Sequence, residues 1–226
     1  MSEDVESVRK LTEAFERTTR ELREIARDLV GPAANELGQL FADRIRIYRI
    51  TSTLRAAQEA KRQIIASGII QKQVSLKVLV PALEGASLEE DEDLISRWAG
   101  LIATAATTGQ TIPAFAEILR QLTPEEARML DFIYQNNIPI PVIDTARGVE
   151  RKGLQETCEV YGENYLVRIQ NLDRLGLVVR IASDGFDTMG GQGWDNAVHI
   201  GLTALGEAFV RACRGPGKAV AEHGRE

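Results

Sequence analysis

Cysteine and histidine are nearly missing from this chain of 226 residues, with two of each: Cys158, Cys213, His199 and His223. Two cysteines build neither a disulfide framework nor a cluster of metal ligands. Aromatic residues are scarce as well, with two tryptophans, four tyrosines and six phenylalanines. That scarcity argues against a sugar-binding or base-stacking surface as the main theme. A basic excess is also lacking: the net charge is −6 and the pI about 5.2, so no global positive field draws the protein toward nucleic acid or anionic lipid. The sequence holds no nucleophile elbow and no Gly-rich phosphate loop with a helix behind it. Gly190-Gly191-Gln192-Gly193 leads toward a strand instead, which is the wrong context for binding phosphate. No catalytic residue, no metal ligand set and no cofactor is expected.

The opening Met-Ser-Glu-Asp-Val-Glu is acidic where a secretory signal would be basic and then apolar. The longest charge-free stretch, Trp98 to Ala116, is interrupted by Thr107-Thr108-Gly109-Gln110-Thr111 and by Pro113. It therefore reads as a buried helix and a turn, not as a transmembrane segment. The expectation is a cytoplasmic protein with reduced thiols. What the chain does contain, 44% hydrophobic and 27% charged residues, suits a globular protein with a real core.

Val8, Leu11, Phe15, Thr18, Leu22, Ile25 and Leu29 step by three and four through the first thirty residues, a heptad seam with one polar interruption at Thr18. Gly31-Pro32 ends that helix. Two uses fit the seam: packing on the chain's own domain, or an oligomeric coiled coil. A second helix is expected from Ala33 to about Ser67, closed by Gly68, with Leu37, Leu40, Phe41, Ile45, Tyr48 and Leu54 inward. Between Leu40 and Arg62 it carries Arg44, Arg46, Arg49, Arg55, Lys61 and Arg62 against Asp43 and Glu59, a candidate basic face for phosphates, lipid, or the acidic run that follows. That run is Glu84, Glu89, Glu90, Asp91, Glu92 and Asp93. Ser87-Leu88-Glu89-Glu90 matches a capping box for a helix over Leu94 to about Thr107. Leu94, Trp98, Leu101 and Ala105 form its buried stripe.

Pro113 to Leu122 reads as a short helix with Phe115, Ile118, Leu119 and Leu122 buried. Thr123-Pro124-Glu125-Glu126 then opens another, with Thr as cap and Pro at the first helical position. Beyond it come helices over Ala127 to Asn136, around Arg151 to Tyr161 and over Asn164 to Leu175. A strand at Leu177 to Ile181, a loop from Ser183 to Asn196, a strand at Ala197 to Ile200 and a helix over 202–210 capped by Thr203 complete the order. The alternation turns His199 away from the buried face of its strand. The pattern predicts a mostly α protein: long N-terminal helices in a helical domain, followed by a winged helix-turn-helix-like domain with a two-stranded wing. Its divisions fall at 1–30, 31–122, 123–213 and a tail over 214–226.

On the predicted recognition helix, Asn164, Val167, Arg168, Asn171 and Arg174 are outward, and Arg168, Asn171 and Arg174 are the candidate nucleic-acid contacts. The wing argues the other way. It carries Asp184, Asp187 and Asp195 with no base, and acids are repelled by a phosphate backbone. Phe186, Met189 and Trp194 in the same loop are candidate contacts for a protein partner.

Three stretches together resemble the abortive infection alpha family of bacteria and prophages. The first runs from Gly31-Pro32-Ala33-Ala34 through Leu37-Gly38 to Asp43-Arg44-Ile45-Arg46. The second is Pro81-Ala82-Leu83-Glu84-Gly85-Ala86-Ser87-Leu88-Glu89, continuing through Asp91 and Leu94 to Trp98-Ala99 and Leu101. The third is Phe115-Ala116-Glu117-Ile118-Leu119 to Leu122-Thr123-Pro124, with the Leu202-Thr203, Gly206 and Phe209 close. The similarity covers roughly residues 30 to 213. It implies a role in phage defence and brings no catalytic residues with it. The reading is a non-enzymatic homo-oligomer that binds a protein, phage-derived in one version. A winged-helix DNA-binding regulator is the alternative.

Overall fold

The computed structural model describes residues 2–30, 47–136, 138–140, 143–181 and 199–217. The chain divides into two compact units, residues 1–120 with 212–226, and residues 121–211.

The first unit is helical. Helix α1 covers Ser2–Val30, α2 Ile47–Ser67, α3 Leu76–Ala86, α4 Glu92–Thr107 and α5 Ala114–Leu119. Gly68 adopts a φ of 68° and ends α2 in the left-handed conformation, as its position past the last periodic residue predicts. Ser75 caps α3 and Asp91 caps α4, each accepting a backbone N–H on its side-chain oxygen. The capping box expected at Ser87 does not form. Helix α3 continues to Ala86, so Ser87 closes that helix, its hydroxyl donating to the Glu84 carbonyl at 2.7 Å. Pro81 lies inside α3, where a proline ordinarily argues for a break.

The α4 helix is covered on almost every side: Leu94, Ile95, Trp98 and Ala99 to Thr107 are all buried. Such a helix, apolar around its whole circumference, is the middle of a core rather than a surface element. On α2 the buried face is Thr53, Ala56, Ala57, Ala60, Ile64 and Ser67, with Leu54 only half-buried. Helix α1 packs on α2 through Leu22, Ile25 and Leu29. The last turn of the final helix belongs to this unit too. A Cβ on Gly100 would collide with the Cys213 carbonyl, and the Thr104 hydroxyl donates to the Ala212 carbonyl at 2.8 Å.

Side chains also link neighbouring helices. Gln58 donates to Glu21 at 2.5 Å and Arg55 pairs with Glu92, each 37 positions apart. Glu84 and Arg120, on the intervening helices, are ion-paired at 4.0 Å. Helix α2 packs against both α1 and α4, and α3 and α5 both pack against α4.

The second unit mixes helices with an antiparallel sheet. Its elements are α6 (Pro124–Gln135), β1 (Ile138–Ile140), β2 (Ile143–Glu150), α7 (Arg151–Cys158), α8 (Gly162–Arg174), β3 (Val178–Ile181), β4 (His199–Leu202) and α9 (Ala204–Cys213), whose end joins the first unit. The strand order is β1-β2-β4-β3. Val178 pairs with Leu202 and Ile181 with His199, while Val149 pairs with Ile200. The sequence reading had no strands before α7. Ile143-Asp-Thr-Ala-Arg-Gly-Val-Glu is poor strand material on its own and is extended because β1 and β4 pair with it. Pro139 lies on the edge strand, where its missing N–H costs no ladder bond. The returning strand begins its described part at His199, two residues later than the sequence pattern suggested. Met129, Leu130, Ile133, Leu154, Tyr165, Ile169, Leu172, Leu177, Ile200 and Phe209 form the core of this unit.

Candidate functional site

Helix α6 starts on a complete capping box. Thr123 Oγ1 accepts the Glu126 N–H at 3.3 Å, and Glu126 Oε2 accepts the Thr123 N–H at 2.7 Å. Glu126 is only 2% exposed. A buried carboxylate needs further donors, and α8 supplies one: Asn171 Nδ2 donates to Glu126 Oε1 at 2.8 Å. Beside it Arg168 donates to Glu125 Oε2 at 3.3 Å and also to Asn164 Oδ1. Arg174 donates to Asn171 Oδ1 at 2.7 Å and to Gln121 Oε1 at 2.9 Å. The result is two adjoining polar groups, Arg168 with Glu125 and Asn164, and Asn171 with Glu126, Arg174 and Gln121, that join the start of α6 to one flank of α8.

The helix-start backbone N–H and then the guanidiniums of Arg168 and Arg128 hold the Glu125 carboxyl below its ordinary value, against an opposing push from partial burial. The Arg168 side chain is 20% exposed. Arg168 and Asn171, expected to face outward, instead turn back onto α6. Val167 does face outward, at 58% exposure, in a stripe with Glu163, Gln170 and Arg174. Tyr161, at the N-cap of α8, is also exposed. On the opposite flank of α8, Tyr165 is fully buried under the Arg151 guanidinium, 5.3 Å from the ring centroid. Its hydroxyl has no hydrogen-bond partner, and burial pushes its pKa up to about 12. Burial likewise raises the Cys158 thiol.

The other candidate residues distribute unevenly. Phe186, Met189, Trp194, Arg44, Arg46 and His223 lie outside the described residues, as do the side chains of Arg49, Val8, Leu11 and Phe15. Arg55 is described and pairs with Glu92 of the acidic run. Leu22, Ile25 and Leu29 of the heptad seam are buried within the chain's own fold. His199 is half-buried, and its Nδ1 is enclosed without a hydrogen-bond partner. Sequence reasoning saw Glu125 and Glu126 only as a helix start. Their second task, holding α8 from more than forty positions away, leaves no local signal.

Among the described residues no group of three His, Cys, Asp or Glu side chains is placed to hold a metal ion. Nor is any described helix long and apolar enough to cross a membrane. A family model for abortive infection alpha matches residues 48–213, well over half of the chain. The chain belongs to the abortive infection alpha family. Its match takes in α2 to α9, and thus the buried α4 helix as well as the polar set on α8. No curated protein and no solved structure matches this abortive infection alpha chain.

Proposed function

We propose that the protein is a phage-defence factor of the abortive-infection type that acts in the cytoplasm by binding another protein, without catalysis. Membership of the family supports the defence role. The order α6, β2, α7, α8, β3, β4, with strands adjacent as β2-β4-β3, supports reading the second unit as a winged-helix-like module with β3 and β4 as its wing. The observation that carries the choice of partner is the engagement of Arg168, Asn171 and Arg174 by Glu125, Glu126 and Gln121. A duplex-DNA reader keeps such cations for phosphates. Here they complete an intramolecular set, and the outward stripe of α8 offers Glu163, Val167 and Gln170 beside an Arg174 already bonded to Gln121 and Asn171.

The experiment is a fluorescence-anisotropy titration of the full chain with duplex DNA at several salt concentrations, beside phage plating on cells that express it. Expected are restricted plating and no salt-dependent DNA binding at physiological ionic strength. Submicromolar DNA binding that Arg168→Glu abolishes overturns the protein-partner reading in favour of a winged-helix DNA-binding regulator. Unaltered plating of every phage tested overturns the defence reading.

A further inference from the structure

The packed helices α1, α2 and α4 present a furrowed side, and in the groove between α1 and α2 the charges are sorted by helix. In the groove between α1 and α2, the α1 wall contributes Glu21 and Glu24 and the α2 wall contributes Lys61 and Arg62, with Ile65 at one end. Gln58 and Arg62 also line the adjoining groove between α2 and α4 and so form the ridge between the two. Ile65 is 71% exposed and Ile70 is 85% exposed. Gln71 donates to the Asp28 carbonyl at 2.6 Å, which holds this apolar end beside the last turn of α1.

We infer that this side is where a second copy of the chain docks, about a two-fold axis. A partner bearing one sign of charge is repelled by one wall of the groove. A copy of the same surface turned by a two-fold whose axis runs along the groove sets the Glu21/Glu24 wall of each chain against the Lys61/Arg62 wall of the other. Such a self-complementary arrangement is what an isologous interface requires. Each wall is already ordered from within its own chain: Gln58 holds Glu21, Asp28 holds Lys61 at 2.9 Å, and Glu59 holds Arg62. The Lys61–Asp28 pair is exposed on both sides and Arg62 is largely exposed, so these ion pairs are weak as isolated contacts and the charges stay available across an interface. Ile65 and Ile70 then lose their exposure to water, which accounts for two large apolar side chains in otherwise polar surroundings. The surface differs from the heptad seam, whose Leu22, Ile25 and Leu29 are occupied inside the chain.

The test uses light scattering on the full-length protein and on two charge-reversed chains, Lys61→Glu/Arg62→Glu and Glu21→Lys/Glu24→Lys. The wild type is expected at twice the 24.9 kDa chain mass. Each reversed chain alone is expected as a monomer, its dissociation constant raised about tenfold or more. An equimolar mixture of the two is expected to dimerise again, because in the mixed pair both contacts join opposite charges. Far-ultraviolet spectra and melting curves identify folded variants. If a reversed chain fails to fold, Ile65→Asp at its exposed site replaces it and is expected to yield a monomer. A monomeric wild type, a dimer that survives both reversals, or folded variants that stay monomeric when mixed overturns the inference.

Discussion

The two units bury their helices by opposite means. In the first, α2 brings Ala56, Ala57 and Ala60 and α4 brings Ala99, Gly100, Ala103 and Ala106 to buried positions. Side chains this small let backbones approach closely and leave specificity to a few large residues such as Trp98. In the second, the contact between α6 and α8 runs through a buried carboxylate and its donors. An apolar contact loses energy in proportion to the volume removed, whereas a polar one loses it when a partner is stranded. The same kind of deletion therefore has different consequences in the two places.

The largest effect is expected at Trp98, fully buried in α4. Trp98→Ala should cost about 3–5 kcal/mol of unfolding free energy in urea titrations; a cost below about 1 kcal/mol would mean that the first unit is not a close-packed core. Next comes Glu126→Ala, which strands the Thr123 N–H and the Asn171 amide and should cost about 1–3 kcal/mol. The double change Glu126→Leu/Asn171→Leu removes donor and acceptor together. It should recover part of that loss, and a strictly additive double variant would show that the polar contact is no different in kind from the apolar one.

Third is a pH dependence within the second unit. The Tyr165 phenol is neutral in the fold up to about 12, while in the unfolded chain it ionises near 10. Stability is therefore fully present below pH about 10 and falls as pH rises toward 12, by at most about 1.4 kcal/mol per pH unit. Tyr165→Phe should remove this slope while leaving neutral-pH stability nearly unchanged, since the hydroxyl has no hydrogen-bond partner to lose. An unaltered alkaline slope in that variant would assign the effect elsewhere. The smallest effect is expected for Arg55→Ala, whose pairing with Glu92 is solvent-exposed on both sides; melting should move by less than the equivalent of about 1 kcal/mol.

Much of the helical content was legible because its signals are local. Thr123-Pro124-Glu125-Glu126 opens α6 as a capping box, Gly68 ends α2, and Leu94, Trp98 and Leu101 mark the buried side of α4. Helix α3 was hidden by Pro81, and the interior face of α2 by alanines, which carry almost no hydrophobic periodicity. Strand β2 was hidden because its extension comes from neighbours rather than from its own residues. At the candidate site the types of Arg168, Asn171 and Arg174 were readable from their spacing on α8. Their direction was not, because a helix wheel has no knowledge of a carboxylate 45 positions earlier.

The passage of α9 from one unit into the other bears on how the chain is made. Residues 121–211 form a continuous run that can close on itself as soon as it leaves the ribosome. The first unit gains its last contacts later, because Gly100 and Thr104 on α4 meet Cys213 and Ala212. At roughly 5–20 residues per second of synthesis, the intervening stretch delays these contacts by about 5 to 18 seconds after Arg120 emerges. Over this interval the face of α4 at Gly100 and Thr104 has not yet met its partners. A chain that stops before Ala212 lacks the carbonyls that meet Gly100 and Thr104 of α4.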